Sequence, residues 1–358
     1  MSKNLILAIN PGSTSTKIAV FDSNQKIFQK NLKHATDEIE KFAKISDQYE
    51  FRKAIILDEL KVANIEIADI KVIVGRGGLV KPIPSGMYQV NEAMKNDLRN
   101  SPLGEHASNL GGLIADDIAK SIDGAVAFIA DPVVVDELDD IARVSGHPQF
   151  DRVSIFHALN QKAIAKTHAN ELGKKYGDLN LIVAHLGGGI SVGAHRKGKV
   201  VDVNQALDGD GPFSPERSGS IPVGALAKLC FSGNYTHAEV KKMITGKGGL
   251  TAYLGTNDAM EVENMVKAGD KKAALIYEAM AYQVAKEIGS CAAVLRGEVD
   301  SILITGGVAY DKGFIQWIKD RVSFIAPVFV YPGEDEMQAL AFNGQLYLKN
   351  EAEVKEYK

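Results

Sequence analysis

Apolar and polar positions along the chain fall into blocks, and the blocks trace one plan twice. Leu5–Ile9 is an apolar run of strand length, broken by Asn10-Pro11-Gly12-Ser13, and Lys17–Phe21 resumes the strand pattern before the turn at Asp22-Ser23-Asn24. Two strands joined this tightly make a hairpin, not a strand–helix–strand unit. Helical spacing is expected over Glu38–Ile45 and Phe51–Val62, followed by a buried strand, Ile70–Val74, that ends in Gly75-Arg76-Gly77-Gly78. A helix is expected over Glu105–Lys120. The apolar run Ala125–Ala130 stops at Asp131-Pro132, where proline blocks helical continuation and leaves Asp131 at the carboxyl end of a strand.

The stretch Asn180–Gly193 repeats the opening plan of strand, small-residue turn and strand, the second strand running over Ile190–Ala194. Gly12 and Gly188 lie 176 residues apart in a chain of 358. A duplicated α/β domain with one phosphate-gripping hairpin per half explains that length better than one large domain does. The expected division is residues 1–155 and 156–337, with a C-terminal helix from about 338 to 358 packing back on the first domain. In the second half His195–Lys199 reads as a turn and Val200–Val203 as a strand. Helices are expected over His237–Thr245, Ala259–Ala268 and Lys271–Arg296, then a buried strand, Ser301–Thr305, ending at Gly306-Gly307, and a last helix over Glu336–Leu348.

Composition narrows the partners. The 41 basic and 45 acidic residues are scattered and leave a formal charge of −4, so nothing marks a nucleic-acid or anionic-membrane surface. A small molecule is the expected partner. Only two cysteines occur, Cys230 and Cys291, without metal-ligand or disulfide spacing. That usage fits a reducing compartment, and no run of about 18 apolar residues offers a membrane span. A cytoplasmic protein is expected. Glycine, at 34 residues, exceeds the usual share of about 7% and clusters at turns.

Neither GxxxxGK[ST] nor GxGxxG occurs, which sets aside the two commonest nucleotide motifs. What stands in their place is the pair of hairpin turns. The first carries Asn10, Gly12, Ser13, Thr14, Ser15 and Lys17; the second carries His185, Gly187, Gly188 and Gly189, with Ser191 just beyond. Glycine admits a close-approaching phosphate and the positive φ of a tight turn, while hydroxyls and amides supply donors. One such turn is usually only a hairpin. Two at half-chain spacing favour a phosphate site. Arg217, in Pro215-Glu216-Arg217-Ser218-Gly219, and Arg76, between glycines at a strand end, offer guanidinium groups for an anion. Gly306 and Gly307 offer bare backbone for an adenine or ribose. Trp317, on an amphipathic helix, is expected in the core.

The motifs NPGSTSTK, GRGG, PLGEHASNLGG, Asp131-Pro132, SIFHALNQ, AHLGGGISV, PERSGSIP, ITGGVAY and YPGEDEM follow one another as in the short-chain carboxylate kinases, the acetokinase family. The resemblance runs from Asn10 to Glu336 and is closer to the butyrate and branched-chain fatty acid kinases than to the acetate kinases. It implies duplicated ribonuclease H-like domains of the actin-like ATPase and sugar kinase type, with catalysis in an interdomain cleft. It further implies ATP or ADP and Mg²⁺ as cofactors, a homodimer or higher homo-oligomer, and reversible in-line transfer from ATP to a short fatty acid. Arg217 resembles the arginine that stabilises the transition state, and His157 the histidine that donates to the phosphoryl group in flight. His106 has a family counterpart but equally suits a helix cap. Glu336 resembles the magnesium glutamate, with Glu334 and Asp335 as neighbouring alternatives, and Asn10 stands where many sugar kinases carry a magnesium aspartate. At Arg76 the acetate kinases carry histidine, and at Ile73 they carry arginine.

The chemistry suits those residues. A carboxylate acceptor is ionised at pH 7, so the site needs cations rather than a general base. Asp131 is placed to hold a water of the metal shell or to orient Arg76 and Arg217. Leu79 and Val80, with Ile83 and Met87, form a proline-stiffened stretch suited to the acyl chain or simply to the core. The alternatives are an acetate or propionate kinase, a sugar kinase or exopolyphosphatase on the same fold, and a non-catalytic nucleotide-responsive module.

Overall fold

The computed structural model describes residues 4–100, 104–333 and 335–358. The chain separates into two compact units, one formed by residues 1–135 and 335–358, the other by 136–334.

In the first unit β1 (Leu5–Pro11), β2 (Ser15–Asp22) and β3 (Gln25–Lys33) form an antiparallel meander, and β4 (Ile70–Arg76) pairs in parallel with β1. Beyond β4 come β5 (Met87–Gln89), antiparallel to β6 (Val126–Ala130), and the short pair Val354–Lys355 along β5. The sheet order is Val354–Lys355, β5, β6, β4, β1, β2, β3. β1 is buried along its whole length, because side chains alternate between two covered faces. Leu5, Leu7 and Ile9 join the core under the helix Asn109–Lys120, while Ile6, Val72 and Val74 meet Gly344 of the helix Glu336–Leu348.

In the second unit β7 (Asn180–Leu186), β8 (Ile190–Arg196) and β9 (Lys199–Val203) form the same meander, and β10 (Ser301–Gly306) and β11 (Val328–Pro332) extend it in parallel from β7. The order β11-β10-β7-β8-β9 repeats β6-β4-β1-β2-β3 strand for strand. The turns at Gly12 and Gly188 therefore occupy one topological position in two copies of a unit. Behind the second sheet lies the helix Lys271–Val294, capped by Asp270 and burying Tyr277, Met280, Ala281, Val284 and Ile288 at helical spacing.

Several expectations need correction. The helix expected over Glu38–Ile45 is instead a single turn, Thr36–Ile39, and a 3₁₀ turn, Ile45–Gln48, a segment too short to hold a helix by itself. The helix expected from Glu105 begins at Asn109, since His106 Nδ1 bonds Ser108 Oγ at 2.7 Å and accepts from its amide. His195 and Arg196 lie on β8, and the turn is confined to Lys197 and Gly198, both at positive φ. The strand β3 and the helix Glu92–Asn100 were not expected. β3 is an edge strand of mostly exposed Gln and Lys, which guards against edge pairing and carries no apolar signal. The contacts divide the chain ahead of residue 155: Asp139 donates to Val201, Arg152 pairs with Asp202 and Lys162 with Glu137, all within the second unit. Trp317 is half-buried against the core, edge-on to Tyr277.

Candidate active site

The first hairpin turn leaves β1 at Asn10. Gly12 N donates to Ser15 O at 2.7 Å, closing the turn and leaving Ser13 and Thr14 exposed. Gly12 has no positive φ, and a Cβ there would meet only Ser15 O at 3.5 Å, so the local backbone does not require glycine. A buried arginine braces the turn from beneath. Arg52 of the helix Tyr49–Val62 is 1% exposed and donates to the carbonyls of Gly12 (2.7 Å), Ser13 (3.0 Å) and Ser15 (3.1 Å), to Thr16 Oγ1 and to Gln48. No carboxylate pairs with it among the described residues. Burial lowers its pKa to about 10, which leaves it charged at neutral pH. The same charge and burial push His34, bonded to Thr16 Oγ1 at 2.9 Å, down to about 4.

Beside the turn, Asn10 donates to the Glu336 carboxylate, and Arg76 Nη1 lies 3.0 Å from Glu336 Oε1 and 3.3 Å from Asn10 Oδ1. Glu336 occupies the first turn of its helix. Asp335 caps that helix through Gln338 N and reaches Lys26 instead. Glu334 lies outside the described residues. Asn10 Oδ1 and the Glu336 oxygens, here gathered about Arg76 Nη1, are hard donors of the type that fits a cation keeping most of its water and phosphate ligands. No group of three His, Cys, Asp or Glu side chains with metal geometry occurs among the described residues. Lys17 stands opposite Asn10 in the β1–β2 register.

Asp131 follows β6 at a positive φ of 38°, a strained conformation for a residue before proline. Its Oδ1 accepts from Ser85 Oγ at 2.6 Å and Gly86 N at 2.9 Å, and its own amide donates to Gly86 O. It thus ties down the Ser85–Gly86 loop, while Arg76 pairs with Glu336. The glycines after β4 serve packing: a Cβ on Gly75 would fall 2.3 Å from Gly111 O, and one on Gly77 2.5 Å from Pro132. Leu79 and Val80 are 7% and 0% exposed and join the core of the first unit. Ile83 packs against the same core, and Met87 is buried on β5. His106 is exposed, and its ring bonds Ser108, the residue at the N-cap of the helix Asn109–Lys120.

In the second unit the turn between β7 and β8 is Gly187-Gly188-Gly189, closed by Gly187 N to Gly189 O at 3.0 Å, again without positive φ. Here glycine has a steric reason. A Cβ on Gly189 would fall 1.9 Å from Arg217 Nη1, so the missing side chain is the space the guanidinium fills. Arg217 Nη1 donates to Ala206 O at 2.6 Å, while its buried Nε has no partner, and burial lowers its pKa. Ser214 Oγ holds the loop by donating to Gly188 O and accepting from Arg217 N. His157 sits at the N-cap of the helix Ala158–Glu171, with Nδ1 2.8 Å from Ser191 Oγ, and stacks on His185 with ring centroids 4.0 Å apart. His185 is fully buried, its Nδ1 bonded to Asn160 Oδ1. Arg217, His157 and His185 thus cluster about one turn.

Gly306 ends β10 at a positive φ of 97°, pressed against Leu186 O and bonded both ways to Gly333, whereas Gly307 faces open space. A cavity of about 420 Å³ follows it, lined by Tyr310, Asp311, Tyr277, Phe314 and Trp317 among others.

Known proteins match the chain along nearly its whole length. The acetokinase family matches residues 152–318, and Butyrate kinase 1 of Clostridium acetobutylicum is 58% identical over 353 residues, 99% of each chain. The chain belongs to the acetokinase family. Butyrate kinase 2 of the same organism is equally similar, 58% over 353 residues and 99% of each chain. In structure, acetate kinase of Porphyromonas gingivalis superposes with a TM-score of 0.79, covering 96% of this chain and all of that one at 19% identity, a likeness of fold.

Two residues brace the turns beyond what their sequence suggests: Arg52 beneath the first, and Ser191, named above only as lying just past the second, against His157. Arg52 lies in a helix whose charged residues look uniformly surface-bound. Its signal is only that a helix follows the first hairpin closely enough to reach beneath it. Ser191 stands just past the glycine turn, and its signal is the alternation Ser191, Gly193, His195 on one face of β8.

Proposed function

We propose that the protein transfers the γ-phosphoryl group of ATP directly to a short-chain fatty acid, butyrate or a branched relative, and runs equally in reverse to make ATP. The observation that carries the acid class is the 58% identity, end to end, with two butyrate kinases. The geometry suits the reaction. The acceptor carboxylate is already an anion at neutral pH, so the residues must gather cations and donors about the moving phosphoryl group. In our reading Arg217 and His157 contact that group from the second turn, the Gly187–Gly189 backbone holds nucleotide phosphates, and the base and ribose lie against Gly306 and Gly307. Ser13, Thr14, Ser15 and Lys17 supply donors from the first turn, and Arg76 neutralises the acid. Asn10 and Glu336 would hold Mg²⁺, which when bound neutralises phosphate charge.

A sugar kinase on this fold needs a carboxylate base. The one candidate, Asp131, commits Oδ1 to Ser85 and Gly86, which argues against that rival. Chain length is selected only weakly, since one methylene is worth about 1–3 kcal/mol. Self-association through the second unit is part of the proposal. Its support is the apolar helix Val223–Cys230, in which no residue is buried, followed by Phe231 at 92% exposure. A cytoplasmic site fits the two unpaired cysteines. No helix among the described residues is long and apolar enough to cross a membrane.

Incubation with ATP, Mg²⁺ and butyrate is expected to yield butyryl phosphate, trapped by hydroxylamine as the hydroxamate. If no acid of two to five carbons gives an acyl hydroxamate, the proposal fails.

A further inference from the structure

His157 ends a buried chain of polar side chains, all in the second unit, and each link has a direction. Gln161, one turn along the helix from His157, places Nε2 3.1 Å from Ser191 O and 2.9 Å from Ser191 Oγ. A carbonyl oxygen only accepts, so the amide nitrogen must face Ser191 and Oε1 must face away. Oε1 lies 2.9 Å from His195 Nε2, which therefore carries a hydrogen. His195 is completely buried, and burial with the nearby Lys162 charge keeps it neutral, so its Nδ1 accepts from Tyr176 OH at 2.7 Å. At the other end Ser191 Oγ, also fully buried, accepts from Gln161. The only acceptor within reach of its own hydrogen among the described residues is His157 Nδ1, 2.8 Å away.

We infer that Tyr176, His195, Gln161 and Ser191 form a one-way relay that fixes His157 as the neutral tautomer with its hydrogen on Nε2. If Nδ1 carried the hydrogen, the Ser191 hydroxyl would have no acceptor in a dry site, which costs as much as a lost buried hydrogen bond. With the hydrogen on Nε2, that edge of the ring is a donor, the polarity an anion requires. The inference thus rests on the proposed role of His157 and adds how that role is set. The four are positioning residues. The strand is shaped for them: a Cβ on Gly193 would fall 2.7 Å from Gln161 Oε1, so glycine there keeps the Gln161–His195 bond open.

The test reads the tautomer directly. Long-range ¹H–¹⁵N correlation spectra of the full-length protein labelled with ¹⁵N-histidine, assigned with His157→Asn, are expected to show His157 with a pyrrole-type Nε2 and a pyridine-type Nδ1. The opposite pattern overturns the inference without any variant of the relay. Gln161→Glu keeps volume but offers Ser191 an acceptor, so the hydroxyl hydrogen turns away and His157 must bind a hydrogen at Nδ1. Turnover is then expected to fall about 10²–10³-fold, the scale of losing a transition-state donor, with the KM of ATP and butyrate little changed. Ser191→Ala should fall likewise and Ser191→Thr recover most of the rate. An unchanged His157 spectrum in Gln161→Glu contradicts the relay. The role of His157 stands or falls separately: full turnover in His157→Asn would remove the catalytic reading while the wild-type spectrum still decides the tautomer.

Discussion

The two hairpin turns occupy the same place in two copies of one sheet, yet they are built by opposite means. The first, Gly12–Ser15, owns its donors as hydroxyls and rests on a buried guanidinium, Arg52, that consumes its carbonyls. The second, Gly187–Gly189, owns no side chains at all. Arg217 and His157 come from other elements and His185 from β7, and the Arg217 guanidinium fills the space that Gly189 leaves. The first turn is therefore a rigid donor surface with a positive charge underneath. The second is a frame around which cations and imidazoles gather. A duplicated fold supplies two equivalent positions, and the sequence around each decides which task it performs.

Arg217→Ala tests the second turn hardest. Loss of one charge-stabilising group is expected to lower kcat about 10²–10³-fold, with nucleotide affinity by calorimetry little changed. Unaltered kcat would remove Arg217 from the reaction.

The glycines sharpen the contrast. Gly189→Ala puts a Cβ where Arg217 Nη1 stands, so it should displace the guanidinium and lose turnover nearly as far as Arg217→Ala does. Gly12→Ala meets only an ordinary contact with Ser15 O and should leave the unfolding temperature unchanged. Equal effects of the two on stability would show that the turns are not built differently.

Arg52→Met removes the brace of the first turn. It withdraws the guanidinium from three carbonyls, of which Ser15 O keeps the Gly12 amide, and should cost about 2–4 kcal/mol in denaturant unfolding. Arg52→Lys, which keeps the charge but cannot span the carbonyls, should recover only part of that. A full recovery would mean that charge alone matters.

The smallest effect is pH-dependent. His34 has its pKa lowered to about 4 by burial and by Arg52, against 6.5 when unfolded. The unfolded chain thus binds a proton more readily, and stability present above about pH 6.5 is lost progressively as pH falls toward 4. The loss attributable to His34 is on the order of 2 kcal/mol. His34→Gln, measured by thermal unfolding between pH 4 and 8, should flatten that slope.

Much of this arrangement was legible in the residues. Continuous apolar runs marked β1, β4, β6, β7 and β10, and glycine turns at half-chain spacing pointed to the duplication. What escaped was whatever depends on partners distant in sequence. Nothing local in Arg52 distinguishes it from the solvated charges of its helix. His195 read as a turn residue because Arg196 to Lys199 is so polar, although the hairpin needs only Lys197 and Gly198. Leu79 and Val80 looked suited to core or pocket, and both join the buried cluster of the first unit. Gly75 and Gly77 drew notice only as the neighbours of Arg76, whereas the closeness of Gly111 and Pro132 gives them a packing cause of their own.

In the proposed reaction the chain contributes cations, donors and geometry, and no covalent phosphoryl carrier. The stereochemical course at the γ-phosphorus tests this most directly, using ATP made chiral there with oxygen and sulfur isotopologues and butyrate as acceptor. A single in-line transfer predicts inversion of configuration; retention, the mark of two successive transfers through a group on the protein, would contradict it.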